Sequence, residues 1–312
     1  MALSLLKKII RSLIVLVIVS FVTFCMMFGD GRGIARGVLG LNATEESVTA
    51  KVHELGLDRP LLVQFGDWLG HVVTGDLGTS FFTGQGVNDA LATRVPVTLT
   101  LIVVTLLLTA VLSVLLGVAA AVKGGWIDRV VQFFSVLGTA IPGFVVAIVL
   151  VFLLAIQWRA FPATGYVPPA QGAGPWIASV TLPVIALLIG SVANSASQFR
   201  SAVRETLSRD FVRTLRARGV GERQVLFRHV LRNAAGPGMT VLSLQTLGML
   251  GGAVFIEQVF ALPGMGQLAN ESAQLGDVPI VMGTVLVTIV IVLVVNLLGD
   301  LAIAALNPKA RS

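Results

Sequence analysis

Long apolar runs alternate with polar segments along this chain, and six of the runs are long enough to cross a lipid bilayer. A transmembrane helix needs about 20 mostly apolar residues. The six runs cover residues 9–28, 97–122, 130–156, 176–199, 239–262 and 280–305. The pattern therefore predicts an all-α polytopic membrane protein with six transmembrane helices.

Composition supports this class. Of the 312 residues, 55% are hydrophobic and only 12% are charged, and the mean hydropathy is +0.90. Soluble domains carry roughly twice that charged fraction, about 25%. The net charge of +6 is accordingly interpreted first as a topology signal, because cytoplasmic loops of membrane proteins are enriched in Lys and Arg.

The basic residues are unevenly distributed between alternate segments. Residues 1–28, the turn around 123–129, segment 200–237 and the tail 307–312 hold 16 of the 22 Lys+Arg. The positive-inside rule then predicts that both termini are cytoplasmic. The N-terminal residues resemble a signal peptide, but no small-x-small cleavage site follows, so we expect an uncleaved first span.

The same distribution suggests a division into four segments. We expect N-terminal cytoplasmic residues and the first span in 1–28, and an extracytoplasmic loop in 29–96. A five-helix core follows in 97–306, which includes a cytoplasmic loop at 200–237, and residues 307–312 form a cytoplasmic tail.

The loop 29–96 is too long for a simple connection and carries two amphipathic patterns. Thr44 is a candidate helix cap, and Pro60 suits the first turn of a second helix. The apolar stripes are Val48, Val52 and Leu55, then Leu61, Phe65, Trp68, Leu69 and Val72. We expect short helices at the outer membrane surface. They seal the bundle or offer a partner a docking surface, and the two interpretations are compatible.

Prolines and glycines mark special points within the spans. Pro142 and Pro183 are expected to interrupt the third and fourth spans, because each removes a backbone hydrogen bond and favours a kink. Gly248 and Gly252 form a G-x-x-x-G pattern, which allows another helix to approach closely.

Motifs for catalysis and nucleotide binding are absent from the sequence. No Gly-Lys dipeptide occurs, which excludes a P-loop, and neither H-E-x-x-H nor G-x-S-x-G is present. His53, His71 and His229 are too scattered for a local zinc site. The single cysteine, Cys25, cannot form an internal disulfide. We therefore expect a non-catalytic protein without a metal site.

Polar residues inside apolar spans are costly, so each indicates a partner or an aqueous path. The candidates for a translocation path or gate are Asn194, Gln198, Gln245 and Glu257. A secondary transporter would depend strongly on Glu257 or on Asp300 near the end of the last span.

Segment 200–237 is the most unusual part of the chain, with nine arginines against three acidic residues. Arg209, Arg213 and Arg216 have i, i+4, i+7 spacing on one helix face, and Phe211 lies on another. Gly219 occupies a predicted helix C-cap. A second helix is predicted from Glu222 towards Asn233, ended by Gly236-Pro237. Such a segment could bind anionic lipid, RNA, or a cytoplasmic protein.

The sequence of this segment resembles a known family. DFVRTLRARG at 210–219 and RHVLRNA at 228–234 are similar to the EAA loop of binding-protein-dependent ABC importer permeases, in particular the dipeptide/oligopeptide branch. The tripeptide that names the motif is replaced by Arg213-Thr214-Leu215, whereas the characteristic Gly219 is kept.

Further motifs extend the resemblance over nearly the whole chain. LGLDRP at 55–60, GDLGTS at 75–80 and RVPVTL at 94–99 are similar to the family subunit with a long first outer loop. PGF at 142–144, FALPGMG at 260–266 and the ending LNPKAR at 306–311 continue it, with Asn307 where aspartate is more frequent.

The resemblance implies a type I ABC importer permease fold that carries di- or oligopeptides. It implies as partners a second homologous permease, two ATPase subunits or domains that bind ATP and Mg, and an extracytoplasmic binding protein. No cofactor is expected on this chain itself. The residues implied for ATPase coupling are Asp210, Arg213, Thr214, Leu215, Arg216, Ala217 and Gly219. Candidates for binding-protein contact or an outer seal are Trp68, Asp76, Leu77, Gly78 and Ser80.

Three alternatives remain open at the level of sequence. Related permeases also serve nickel, glutathione or oligosaccharide importers. A stand-alone secondary transporter predicts uptake without any ATPase. A membrane scaffold whose arginine loop binds lipid or RNA predicts salt-sensitive binding to those polyanions and no transport.

Overall fold

The computed structural model describes residues 2–40 and 42–306, with side chains described for 10–40 and 42–303. Within these residues all regular structure is helical, apart from an isolated bridge between Thr79 and Gly86. The predicted all-α class is confirmed. The predicted tail at 307–312 lies outside the described residues.

The helices follow one another along the chain, and the longest connections are residues 74–86 and 158–172. They are α1 (Ala2–Met27), α2 (Gly31–Leu39), α3 (Glu45–Glu54), α4 (Leu61–Val73), α5 (Val87–Lys123), α6 (Gly125–Ala140), α7 (Gly143–Leu150), α8 (Ala173–Leu207), α9 (Asp210–Ala217), α10 (Glu222–Gln224), α11 (Leu231–Val259), α12 (Met265–Leu275) and α13 (Val278–Leu306). Two π-helical segments, Val151–Gln157 and Val225–Val230, continue α7 and join α10 to α11.

Among the described residues, five helical stretches are long and apolar enough to span a membrane. They are Ile10–Leu39, Val87–Lys123, Ala173–Leu207, Glu222–Val259 and Val278–Ile303. The pair Gly125–Ala140 and Gly143–Gln157 provides a sixth if it is counted as one broken span. The six predicted spans therefore correspond to observed helices, but the third is not a single rod.

The two predicted proline kinks have different outcomes. At Pro142 the chain bends by 96° between α6 and the helix after it. Ile141 is extended there, because a residue before proline avoids the helical region. The predicted interruption at Pro183 is wrong, since α8 continues through it. Leu182, Pro183 and Val184 are all buried, and we attribute the continuity to their packing.

Two helix boundaries differ from the predictions. α5 begins at Val87, ten residues before the predicted span, so the end of the outer segment is already helical. Gly236-Pro237 does not end the helix after Glu222, because α11 continues through both residues to Val259. Proline is tolerated in a membrane helix where side chains and local π geometry satisfy freed carbonyls.

The chain divides into two compact units, and the boundaries fall inside α5, between α11 and α12, and inside α13. The first unit comprises the described residues up to 98 together with 263–291. Its core contains buried Phe24, Ile34, Phe65, Val278 and Met282, so α4 packs onto α1 and α13.

The predicted helix cap at Thr44 is confirmed at the start of α3, since Thr44 Oγ1 accepts a hydrogen bond from Ser47 N–H at 3.3 Å.

The second unit comprises residues 99–262 and the described residues from 292 onward, and α8 is its central helix. α8 packs against α6, α7 and α11. Gly138 of α6 sits so close to α8 that an added Cβ would be 2.5 Å from Ala193 Cβ. Small residues at such points let membrane helices approach closely. The predicted approach at Gly248 is not used within the described chain, because nothing lies within 4 Å of a Cβ there.

Candidate functional site

Helix α9 ends in a glycine turn that fixes where the chain leaves it. Gly219 N–H donates to Arg216 O at 2.9 Å, and Val220 N–H donates to Leu215 O at 3.1 Å. With Gly219 at φ +78°, these bonds form a Schellman C-cap. The predicted capping glycine is confirmed. A side chain there would meet no neighbour within 4 Å, so the constraint is the left-handed backbone alone.

The two faces of α9 have opposite environments. Val212 is fully buried, and Phe211 and Leu215 pack beside it in a cluster with Val225, Val230 and other apolar residues of the second unit. On the other face, the Asp210 and Arg213 side chains are 97% and 78% exposed. The helix thus lies with its apolar side on its own unit and its charged side in solvent.

The predicted coupling residues are divided between these faces. Asp210, Arg213, Thr214, Arg216 and Ala217 are exposed, and Leu215 points towards the cluster around Val212. Leu215 is half-buried, and its contact with this cluster helps to hold α9 in place. Thr214 Oγ1 donates to Asp210 O at 3.1 Å, so this hydroxyl already has a partner within the helix.

An ion pair bridges the turn at Gly219. Arg216 Nε and Nη2 donate to the two carboxylate oxygens of Glu222, at 2.7 and 3.0 Å. This hydrogen bond raises the pKa of the Arg216 guanidinium above its usual value. The pair bridges the turn on its solvent side. Both side chains are largely exposed, so water weakens the electrostatic attraction between them.

An exposed basic surface extends beyond the predicted residues. Arg218, Arg223 and Arg228 are exposed and make no ion pair within the described part of the chain. Phe227 lies among them with 67% of its surface exposed. Sequence reasoning missed Phe227, although a large aromatic residue flanked by arginines in a polar segment was a detectable signal.

Three of the predicted path residues meet between α8 and α11. Asn194 Nδ2 donates to Gln245 Oε1 at 3.2 Å, and Gln245 Nε2 donates to Ser191 Oγ at 3.1 Å. Gln198 Nε2 donates to Asn194 Oδ1 at 3.5 Å. We call these four residues the polar ladder. In the polar ladder, side chains that lie inside the second unit and at membrane depth form hydrogen bonds to one another.

The fourth predicted path residue, Glu257, is located elsewhere. It follows Gln245 by 12 residues on α11, which is about 18 Å along a helix. Its side chain is fully buried. The carboxylate therefore does not line an open path in this conformation.

The predicted outer motif is tied into the first unit by a buried carboxylate. Ser80 Oγ donates to Asp277 Oδ2, and Phe81 N–H donates to Asp277 Oδ1 at 3.0 Å. Ser80 and Asp277 are 4% and 3% exposed. We call this contact the outer latch. Sequence reasoning missed Asp277, whose position just before the last span was the available signal.

The other predicted outer residues also have internal roles. Asp76 Oδ1 accepts from Gly78 N–H at 2.8 Å, and Leu77 N–H donates to Asn88 Oδ1 at 3.2 Å. Trp68 packs against the core of the first unit, and its buried indole N–H has no hydrogen-bond partner among the residues that the structure describes. These placements favour an outer seal over direct contact with a binding protein.

No group of three or more His, Cys, Asp or Glu that could hold a metal occurs within the residues that the structure describes. The described residues offer an exposed basic helix, a polar ladder and a loop held by the buried Asp277 carboxylate.

Comparison with known proteins places this geometry in context. Residues 113–312 match the family described as "Binding-protein-dependent transport system inner membrane component". Residues 1–102 match the corresponding N-terminal family, "Binding-prot-dependent transport system membrane comp, N-term".

Curated relatives are similar over most or all of the chain. The "Probable peptide ABC transporter permease protein y4tP" of Sinorhizobium fredii is 35% identical over 312 residues, which is 100% of both chains. A "Putative peptide transport system permease protein" of Brucella abortus is 35% identical over 98% of both. The "Dipeptide transport system permease protein DppB" of Lactococcus lactis is 35% identical over 86% of both.

Proposed function

The chain belongs to the family of binding-protein-dependent transport system inner membrane components, and from this premise we propose that it is the permease subunit of an ATP-driven importer of di- or oligopeptides. It is a multi-pass inner-membrane protein that works with a separate ATPase and a substrate-binding protein. The observation that carries the substrate class is its full-length similarity to a peptide permease. Nickel, glutathione and oligosaccharides remain the alternative substrates.

The contact with the ATPase is assigned to α9 and its turn. An eight-residue helix with an apolar side packed on its own unit and a charged side in solvent can transmit force between two proteins. Arg213, Arg218 and Arg223 are the exposed charges that a partner would meet. ATP and Mg are assigned to the partner, because this sequence contains no P-loop.

Membrane orientation follows from the charges. We place α9, both termini and the α5–α6 turn in the cytoplasm, since the excess of Lys and Arg lies on that side. The outer latch then lies on the extracytoplasmic side, where the binding protein would dock.

A second permease is assigned to apolar surfaces that the chain leaves uncovered. In the most apolar 18-residue part of Ile10–Leu39, only 11% of the residues are buried, against 33% to 50% in the corresponding parts of the other unbroken spans. On α11, Leu244 and Leu247 are exposed beside the open Gly248. Small residues next to exposed apolar side chains suit close helix packing. The polar ladder is our candidate for the path lining on this chain's half.

ATP drives import only if it binds one conformation of the ATPase pair more tightly than the other. In the proposed cycle, closure of the ATPase pair displaces α9 and tilts the spans. The path then opens outward and receives cargo from the binding protein.

The test is purification of the tagged chain from its native membrane in mild detergent, with mass spectrometry of the associated proteins and ligands. We expect a second permease, a P-loop ATPase, and a binding protein carrying peptides. A charge-reversed variant, Arg213→Glu with Arg218→Glu, should lose the ATPase, whereas Arg32→Glu in the outer segment should retain it.

Two outcomes would contradict the proposal. A chain that purifies alone and still imports substrate into vesicles without ATP is a secondary transporter. A complex whose binding protein carries only metal, glutathione or sugar keeps the importer assignment and replaces the substrate.

A further inference from the structure

A carboxylate at the start of α6 binds two arginines at the end of α8. Asp128 accepts hydrogen bonds from Arg200 through Nε and, at 2.8 Å, through Nη2. Arg204 Nη2 donates to Asp128 Oδ2 at 3.0 Å. The Asp128 and Arg200 side chains are only 11% and 14% exposed. A two-pronged arginine–carboxylate contact fixes orientation as well as distance.

The local sequence explains why these groups meet. Gly124 and Gly125 both have positive φ, at +61° and +57°, so the chain reverses sharply between α5 and α6. Asp128 then lies in the first turn of α6. Arg200 and Arg204 are four residues apart on α8 and share one face.

The contact holds one end of a tight interface. Further along α6, Gly138 lies directly against Ala193 of α8. α6 and α8 are therefore joined by an ion pair at one point and by close backbone packing about three turns away. Two fixed points prevent α6 from sliding or rotating independently of α8.

α8 and α6 each lead to a part of the chain that matters for coupling. α8 leads through Ser208 and Arg209 directly into α9, and α6 leads into the 96° bend at Pro142. α8 packs against both α6 and α7, which lie on the two sides of the bend, so the attachment of α6 to α8 decides how a displacement of α9 is divided between them. The Asp128 contact is the polar connection at the end of α8 nearest to α9.

We propose that Asp128 is a positioning residue that fixes α6 to the α9-proximal end of α8, so that movement of α9 changes the bend at Pro142. This inference rests on the proposed ATPase-coupling role of α9. It adds a mechanical connection and a moving element that the sequence resemblance does not assign.

The experiment measures the bend directly in the purified complex with its ATPase. In a Cys25→Ser background, cysteines replace Phe134 on α6 and Phe152 beyond the bend, which are 62% and 51% exposed, and carry spin labels. The distance between the labels is compared without nucleotide and with ATP plus vanadate, and ATP hydrolysis is measured on the same labelled preparation with ATP and Mg but without vanadate. We expect the nucleotide to change the distance in the parent complex.

Three variants separate positioning from simple stability. Asp128→Asn should keep the ATPase bound and hydrolysing, but reduce the nucleotide-dependent distance change to less than a quarter. Asp128→Glu, which can still bind both arginines, should restore most of it. Asp128→Asn with Arg200→Gln removes both charges, which avoids an unpaired buried arginine, and should behave like the single variant. Glu205→Gln, which breaks an exposed pair with Arg209, is the matched control and should leave the change intact.

The outcomes are distinguishable. The inference is overturned if the parent complex hydrolyses ATP without any change across the bend, or if the neutral double variant changes its bend as the parent does. It is also overturned if hydrolysis and bending decrease in the same proportion. A complex that purifies without an ATPase instead overturns the proposed function.

Discussion

Two regions of this protein carry motifs that resemble the same family of permeases. The polar side chains of one motif are buried within the protein, whereas those of the other are exposed to solvent. At 75–80 the motif is folded inward, and Ser80 is 4% exposed and bound to Asp277. On α9 the motif faces outward, with Arg213 78% exposed. A motif in the sequence therefore does not tell whether its polar groups serve the fold or a partner.

The difference has an energetic meaning. A buried hydroxyl and amide that lose their acceptor incur a desolvation penalty, whereas exposed groups exchange a protein partner for water at little cost. Changes in the outer latch should thus affect stability first, and changes on α9 should affect association first. Four substitutions test this contrast, from the largest expected effect to the smallest.

Asp277→Ala should destabilise the chain most. Ser80 Oγ–H and Phe81 N–H would lose their acceptor in a buried site, at a cost of about 2–5 kcal/mol for the two. Thermal unfolding of the purified complex should shift downward and the amount in the membrane should decrease. Asp277→Asn keeps one acceptor oxygen and should lose less. Unchanged thermal unfolding of the alanine variant would show that the latch is not important for stability.

Gly219→Val should mainly weaken attachment of the ATPase. A β-branched residue at φ +78° costs about 1–3 kcal/mol locally and distorts the turn after α9. The ATPase retained on purification should decrease about tenfold. Asparagine tolerates this backbone, so Gly219→Asn should retain most of it. Equal retention of the ATPase in the valine and asparagine variants would show that the turn at Gly219 takes no part in binding the ATPase.

Phe227→Ala should reduce ATPase retention by a smaller factor and leave thermal unfolding unchanged. An aromatic side chain with 67% exposure contributes little to its own fold, but interface aromatics often contribute more than 1 kcal/mol. Phe133→Ala on α6, with similar exposure of 61%, is the matched control. A decrease in stability without loss of ATPase would assign Phe227 to the fold instead.

Arg216→Gln should have the smallest effect, because its pair with Glu222 is exposed. The raised pKa of Arg216 means that its stabilisation is complete below the ordinary arginine pKa, far above neutral pH, and is lost only at still higher pH. The difference in thermal unfolding between variant and parent should thus be constant from pH 6 to pH 8. A difference that varies strongly over that range would indicate another titrating partner.

Local patterns predicted much of the fold. Apolar run length located six helical regions, Thr44 was identified as a cap, and Gly219 as the end of α9. Each of these depends on interactions within a few residues, which sequence periodicity and side-chain type record directly.

The predictions that were wrong, and the contacts that were missed, depend on packing or on residues far apart in the sequence. Pro142 and Pro183 both follow an aliphatic residue, but only Pro183, whose neighbours are buried, lies within an unbroken helix. The pairing of Asp128 with Arg200 joins residues 72 positions apart. Without knowledge of which helices are neighbours, neither the partner of Asp128 nor that of Ser80 could be identified.

The outer latch also imposes an order on biogenesis. Ser80 and Asp277 are separated by 197 residues, so ribosomes working at about 5–20 residues per second make the second partner roughly 10–40 s after the first. During that interval the outer loop has left the ribosome but lacks its carboxylate anchor. A chain truncated before Asp277 never acquires it. The outer latch can therefore form only in copies whose synthesis has passed Asp277, the residue immediately before α13.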